Sequence, residues 1–338
     1  MSVVLLSIDL AKNIFQLHGV DERGRPVLSR RVSRAKLLEV VVGIPCCRIV
    51  MEACGGAHHW ARRFSAMGHQ VQIIAPRFVK PFVKSQKNDR NDAEAIAEAA
   101  SRPTMRYVAV NSIEQQDIQC MHRIRSLLMR DRIAQINQIR GLLTEYGIVV
   151  AQTPLKLRTQ LPAIVDDQSN ELTALSRAMM LDMHERLKFL DTQIEKYDEL
   201  IRHTHNSSAL CQRLGKIRGV GPIIATAVVA AAGNATEFKN GRQFAAWLGL
   251  TPRQHSSGGR QRLFGITKRG NGYLRMLLVH GARSVVQQAG KHSDVLSRWI
   301  LELQTRRGTN ITVVALANKI ARTIWVLLAR GQDYQPCV

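Results

Sequence analysis

Four carboxylates and a pair of serines stand out in this 338-residue chain by type and setting. Asp9 closes the apolar run VVLLSID, Glu52 closes CRIVME, and Asp89 and Asp92 lie three residues apart in QKNDRNDAEAIAEAA. Carboxylate oxygens in such a set suit hard divalent cations, Mg²⁺ or Mn²⁺, which polarise a phosphoryl group and ease deprotonation of an attacking hydroxyl. Far downstream, Ser256 and Ser257 precede Gly258 and Gly259 and stand among Arg253, Arg260, Arg262, Lys268 and Arg269. A serine hydroxyl on such a flexible loop can approach a phosphodiester while the cations neutralise its charge. No triad adjoins the serines, so the same residues also fit a Ser-Gly linker that only hydrogen-bonds a phosphate.

Elements able to position the carboxylates can be read from the first hundred residues. VVLLSID is a continuous apolar strand; IFQLHGV and VLSRRV follow it across the turn DERGRP, as in a meander. SRAKLLEVVVGI is helical, CRIVME a strand, HHWARRFSAMG helical and QVQIIAP a strand closed by Pro76. The last helix opens at KNDRNDAEAIAE, where Asn91 with Glu94 fits a capping box and Asp89 and Asp92 complement the helix dipole or, sharing one face, supply ligands. Three strands, helix, strand, helix, strand, helix is the succession of an RNase H-like mixed sheet. In that fold the first and fourth strands are parallel neighbours, so Asp9 and Glu52 meet at one edge, beyond the carboxyl ends of the strands. The α/β domain is expected over residues 1–108.

The pattern then changes to long helices over 109–206. Ile118, Met121, Ile124 and Leu128 continue to Tyr146 at three- and four-residue spacings, and a second series runs from Leu172 to Ile201, after a connection containing Pro154 and Pro162. Helices of roughly 35 residues span about 50 Å, which favours an antiparallel coiled-coil arm that also pairs subunits over a self-contained bundle. Residues 207–338 form a basic, all-α domain. Ile217-Arg218-Gly219-Val220-Gly221 has the pattern of a helix-hairpin-helix turn, in which Gly219 and Gly221 bring backbone N–H groups near a phosphate; a plain glycine turn has the same pattern. The closing ITVVALANKIARTIWVLLARG reads as an amphipathic helix with Lys319 and Arg322 on its polar side.

Charge supports a polyanionic partner. The chain carries 48 Lys and Arg against 26 Asp and Glu, and residues 207–338 alone hold 19 basic against 4 acidic residues. Nucleic acid is the usual partner for such an excess. Six cysteines, including Cys54 and Cys337, show no C-x-x-C pair and no zinc or disulfide framework. The first residues lack a basic leader, and no apolar run is long enough to cross a bilayer; a cytoplasmic setting without membrane contact is expected. His58-His59 and His203-x-His205 lack partnering ligands, and Trp247, Trp299 and Trp325 read as core.

Taken together, SIDLAK at Asp9, MEACGG at Glu52, KNDRNDAEAIAE at Asp89 and Asp92, and the glycine turn followed by FAAWLGLTPRQHSSGG resemble the DEDD transposases of the insertion-sequence-110 family, related to the Piv/MooV recombinases. The resemblance spans nearly the whole chain. It implies a RuvC-like N-terminal domain whose Asp9, Glu52, Asp89 and Asp92 bind Mg²⁺, and a C-terminal domain with a catalytic serine, placed at Ser257 with Ser256 as the alternative. It further implies a phosphoserine link to DNA, strand rejoining through a crossed-strand intermediate, and double-stranded donor and target DNA as substrates. A non-coding bridge RNA is an expected partner, and the assembly is expected to be a homo-oligomer, a dimer or a dimer of dimers. A Piv-like invertase and a RuvC-like junction nuclease using water are the alternative readings.

Overall fold

The computed structural model describes residues 2–84 and 88–335; Gln86 and Lys87 of the acidic motif, and Cys337, lie outside the described residues. The chain divides into two compact units, Met1–Ser112 and Ile113–Val338, so the long helices belong with the C-terminal residues.

In the first unit, β1 (Leu5–Asp9), β2 (Ile14–Val20) and β3 (Pro26–Ser33) form the antiparallel meander expected, followed by α1 (Leu37–Val42), β4 (Arg48–Glu52), α2 (Ala57–Ala66), β5 (Gln70–Ile74), α3 (Pro76–Val79), α4 (Asp89–Ala100) and a short β6 (Tyr107–Val108). The six-stranded order is β3-β2-β1-β4-β5-β6, with β1, β4 and β5 parallel and β6 antiparallel to β5. This mixed sheet is compatible with the RNase H-like arrangement. Alternation along β1 sends Leu6 and Ile8 into a core with Leu37, Trp60 and Phe64 of α1 and α2, while Leu5 faces a second core with Ile96, Ala99 and Ala100 of α4. Because both faces are covered, β1 is buried on both sides, which explains its unbroken apolar sequence. Alanines 93, 95, 97, 99 and 100 are all buried, and their small side chains let α4 lie close to the sheet.

The second unit begins with α5 (Ile113–Glu145), α6 (Pro154–Asp166) and α7 (Ala174–Ser207). Arg125 pairs with Asp198 and Arg132 with Asp191, a register that runs α5 and α7 antiparallel. The connection expected around Pro154 and Pro162 is itself helical: Thr153 Oγ1 accepts from Lys156 N, Pro154 occupies the first turn, where no N–H is needed, and Pro162 lies within the helix. Leu157, Leu161 and Val165 of α6 fill a core with Ile139, Leu143 and Leu187.

Then follow α8 (Ala209–Gly215), α9 (Pro222–Ala232), α10 (Gly241–Trp247), β7 (Pro252–Ser257), β8 (Arg260–Ile266), α11 (Gly272–Gln288), α12 (Val295–Arg307) and α13 (Thr309–Arg330). Helix α13 is long and apolar enough to cross a membrane by composition. Its Val313, Leu316, Ala317, Ile320 and Ile324 instead sit in the main core beside Val228, Phe244 and Leu278, as befits a central helix of a globular unit.

Candidate active site

Strand pairing sets the first pair of carboxylates. Ile8 stands opposite Met51 in the parallel β1/β4 ladder, so Asp9 and Glu52, the last residues of those strands, end side by side at one edge. Both are half-buried. Cys54, two residues beyond Glu52, directs its thiol at Leu10 O (3.9 Å). Burial, and after it the negative charges of Asp9 and Glu52, push that thiol above its usual range. One group thus senses both carboxylates.

Helix α4 brings the second pair. Its cap differs from the one expected: Asn88, in extended backbone, accepts from Asn91 N at 2.9 Å, and Asp92 N donates to Asn88 O at 3.0 Å. Helical geometry therefore begins at Asp89, three residues earlier than a cap at Asn91 requires. Glu94 is drawn instead to Lys84 Nζ (2.7 Å), which holds its carboxyl below the ordinary range. Asp89, exposed, and Asp92, half-buried, both fall in the first turn, one helical step apart on the same face. The turn is anchored to β1 by the buried Ser7, whose Oγ donates to Ala93 O at 2.6 Å and approaches His18 O at 3.0 Å. Ser7 precedes Asp9 by two residues and Ala93 follows Asp92 by one.

The donor set is carboxylate oxygen alone, the chemistry that fits Mg²⁺ or Mn²⁺ and not a soft metal. Among the described residues no three His, Cys, Asp or Glu side chains come together as a group that could hold a metal ion. Two carboxylates share the strand edge, and two more lie on the helix tied to β1.

In the second unit the serines do not form a loose loop. Pro252–Ser257 and Arg260–Ile266 make an antiparallel hairpin, joined by Gly258 and Gly259 with φ of 55° and 75°. Two successive positive φ values are the two-residue turn that matches strand twist, and glycine adopts them without strain. Pairing places Ser257 opposite Arg260 and His255 opposite Arg262, so these four share one face of the ribbon; Ser256, opposite Gln261, lies on the other, where its Oγ accepts from Gln254 Nε2 at 2.8 Å. His255 joins this face because the Gly258-Gly259 turn fixes the hairpin register. Arg253, Lys268 and Arg269 are likewise exposed at the hairpin or its root. That root is drawn tight by Gly249 and Gly270: a Cβ on either would lie 2.1 Å from Arg269 O or 1.8 Å from Trp247 O.

The turn between α8 and α9 has Gly219 at φ +88° and Gly221 capping α9. Gly219 makes its close approach within the protein, since its Cβ would fall 2.7 Å from Val285 Cγ2 and 2.9 Å from Gly281 O. Arg218 reaches Asp294 Oδ2 (3.1 Å) and Ser297 Oγ (2.9 Å) at the start of α12.

Several known proteins are similar to this chain over nearly its full extent. A DEDD transposase model of the IS110 group matches residues 6–148, which hold all four carboxylates, and the model described as Transposase IS116/IS110/IS902 family matches 211–296, which hold the glycine turn and the hairpin. A probable family 20 transposase of Pseudomonas aeruginosa is 47% identical, covering 99% of this chain and all of the relative. The transposase for insertion sequence element IS1111A of Coxiella burnetii is 45% identical over 98% of this chain and 92% of its own length. The transposase for element IS1328 of Yersinia enterocolitica is 38% identical over 98% of each. Identity at this level along nearly every residue leaves one conclusion: the chain belongs to the IS116/IS110/IS902 family of insertion-sequence transposases.

Proposed function

We propose that this transposase cleaves and rejoins double-stranded DNA by phosphoryl transfer, with a RuvC-like N-terminal unit that holds Mg²⁺ or Mn²⁺ and a C-terminal unit that supplies Ser257 as nucleophile. The observation that carries the reading is the side-by-side placement of Asp9 and Glu52 at the ends of adjacent parallel strands. Asp9, Glu52, Asp89 and Asp92 would hold the cation through carboxylate oxygens. When bound, the cation supplies charge stabilisation to the phosphoryl oxygens.

The chain's own residues do the rest. Ser257 Oγ forms a bond to phosphorus as one P–O bond of the strand breaks, its proton leaving to a base and the freed strand end carrying the hydroxyl. The phosphoserine ester conserves the phosphodiester bond for religation. Arg260 and Arg262, on the Ser257 face, neutralise charge that grows on the phosphate oxygens. The glycine turn between α8 and α9, read as a helix-hairpin-helix, and the cations Arg253, Lys268 and Arg269 grip the backbone. A bridge RNA pairing with donor and target DNA would supply sequence recognition and leave the cations to hold phosphate. Exposed apolar side chains on the long helices, Ile124, Leu127 and Ile133 of α5 and Phe189 of α7, are suited to pair subunits as a coiled-coil arm.

The test is strand cleavage of an element-end substrate by the full-length protein with Mg²⁺ and the RNA transcribed from the element's flank. Denaturing gels should show a protein-linked DNA band. Asp9→Asn and Glu52→Gln should each abolish cleavage, and Ser257→Ala should abolish cleavage and band together. Cleavage that persists without a band in Ser257→Ala would instead establish a junction nuclease using water, and activity independent of the RNA would remove the guide from the scheme.

A further inference from the structure

Helices α10, α12 and α13 enclose a groove of about 800 Å³ whose lining includes Asn240, Arg242, Trp299, Asn318, Lys319 and Arg322. Its walls are fixed by backbone contact. Gly241 is buried so closely against α13 that a Cβ there would stand 3.1 Å from both the Cα and the O of Arg322, and this approach sets the following residue, Arg242, on the wall that Arg322 also lines. Lys319 and Arg322 are one helical step apart on α13 and share its face. Lys319 Nζ lies 4.9 Å from the centre of the Trp299 ring of α12, a cation–π contact that orients the ammonium without neutralising it. Trp299, packed against the main core as expected, also lines the groove.

Charge decides what such a groove takes. Arg242, Lys319 and Arg322 are all exposed, and among the described residues none is paired with a carboxylate. Some other arginines of the unit do have carboxylate partners: Arg125 with Asp198, Arg132 and Arg158 with Asp191, Arg213 with Asp333, Arg218 with Asp294. No Asp or Glu lines the groove, whereas Asn240, Asn318 and Thr323 do. Three cations without a counter-charge in a cleft of this size call for a ligand with several regularly spaced anions. Asn318 also ties the groove to the basic hairpin, since its Nδ2 donates to Leu250 O (3.2 Å), two residues before β7 begins.

We infer that this groove binds the phosphodiester backbone of a nucleic-acid strand at a site separate from the serine face of the hairpin, with Arg242, Lys319 and Arg322 each contacting phosphate. The inference rests on the reading of the chain as a nucleic-acid enzyme for the class of ligand. Its test reads binding and not cleavage, so the two fail independently.

Binding is measured by fluorescence anisotropy with three probes, a duplex DNA, the single strand of the same sequence and a stem-loop RNA, across a range of salt. Each phosphate contact contributes about 0.9 to the slope of log affinity against log salt for duplex DNA and about 0.7 for single strands. Arg242→Ala/Arg322→Ala should lower that slope by about two contacts' worth on at least one probe, with an unchanged thermal melt because both side chains are exposed. Arg242→Lys/Arg322→Lys should restore it. Ser257→Ala should keep the wild-type slope even where it abolishes the protein-linked band. A loss confined to one probe identifies the nucleic acid that lies in the groove. An unchanged slope on all three probes, or a loss that the lysine pair does not restore, overturns the inference.

Discussion

Ser257 stands across the hairpin from Arg260, while Ser256 stands across from Gln261 and lies on the opposite face of the ribbon. A strand turns successive side chains to opposite sides, so adjacent serines cannot both face the arginines. If a phosphate is held by Arg260 and Arg262, only Ser257 can reach it from the same side. Ser256→Ala should therefore change the rate of protein–DNA adduct formation by less than about threefold, as expected of an exposed substitution away from the chemistry. Ser257→Ala should remove the adduct. Arg260→Ala should slow it by about a hundredfold, the usual cost of losing one charge-stabilising donor. Rates of appearance of a denaturant-resistant DNA band separate the three variants.

Ser7 links the strand that carries Asp9 to the helix that carries Asp92. Its hydroxyl is fully buried, with Ala93 O and His18 O as partners. Ser7→Ala leaves a buried carbonyl short of a donor and should cost about 1–2 kcal/mol, seen in chemical denaturation as a lower midpoint with unchanged slope. Because the anchor sits one residue from Asp92, Mn²⁺ affinity measured by calorimetry should fall as well. A variant that loses stability but keeps full Mn²⁺ affinity would show that Ser7 holds the fold without positioning the ligand.

Strands β1 and β4 were legible because each is an apolar run closed by a carboxylate, Asp9 or Glu52. What the sequence blurred lay at the mercy of partners distant along the chain. Asn91 and Glu94 fit a capping box locally, yet Asn88 fits the cap equally well, and Lys84 from the preceding segment captures Glu94. The serine hairpin reads as a loop because every residue of β7 is exposed, so no apolar alternation marks the strand; only Gly258-Gly259 betrays the turn. The packing of Gly219 against Gly281, whose own Cβ would stand 2.1 Å from Gly219 O, is announced by nothing nearby in sequence. The two-residue β6 is too short to carry a pattern. The place of Arg242 on the groove depends on the contact of Gly241 with α13, which no local pattern announces.

His122 supplies a pH-dependent term to stability that its neighbours define. The ring is buried between Tyr273 OH, 3.0 Å from Nδ1, and Thr226 Oγ1, 3.0 Å from Nε2. Burial first, and the Arg125 charge second, push its pKa down from 6.5 to about 4. The folded protein therefore keeps this ring neutral where the unfolded chain already binds a proton, and stability must fall as pH drops from about 6.5 to about 4. The full difference corresponds to about 3 kcal/mol, reached below the folded pKa and absent above the unfolded one. Denaturation midpoints measured between pH 7 and about pH 4 should decline in the wild type. In His122→Gln, which cannot protonate and retains a donor and an acceptor, that part of the decline should vanish, although the variant starts from a lower midpoint because the amide does not fill the space of the ring. An identical pH slope in the two proteins would mean that His122 titrates normally and that water reaches the ring.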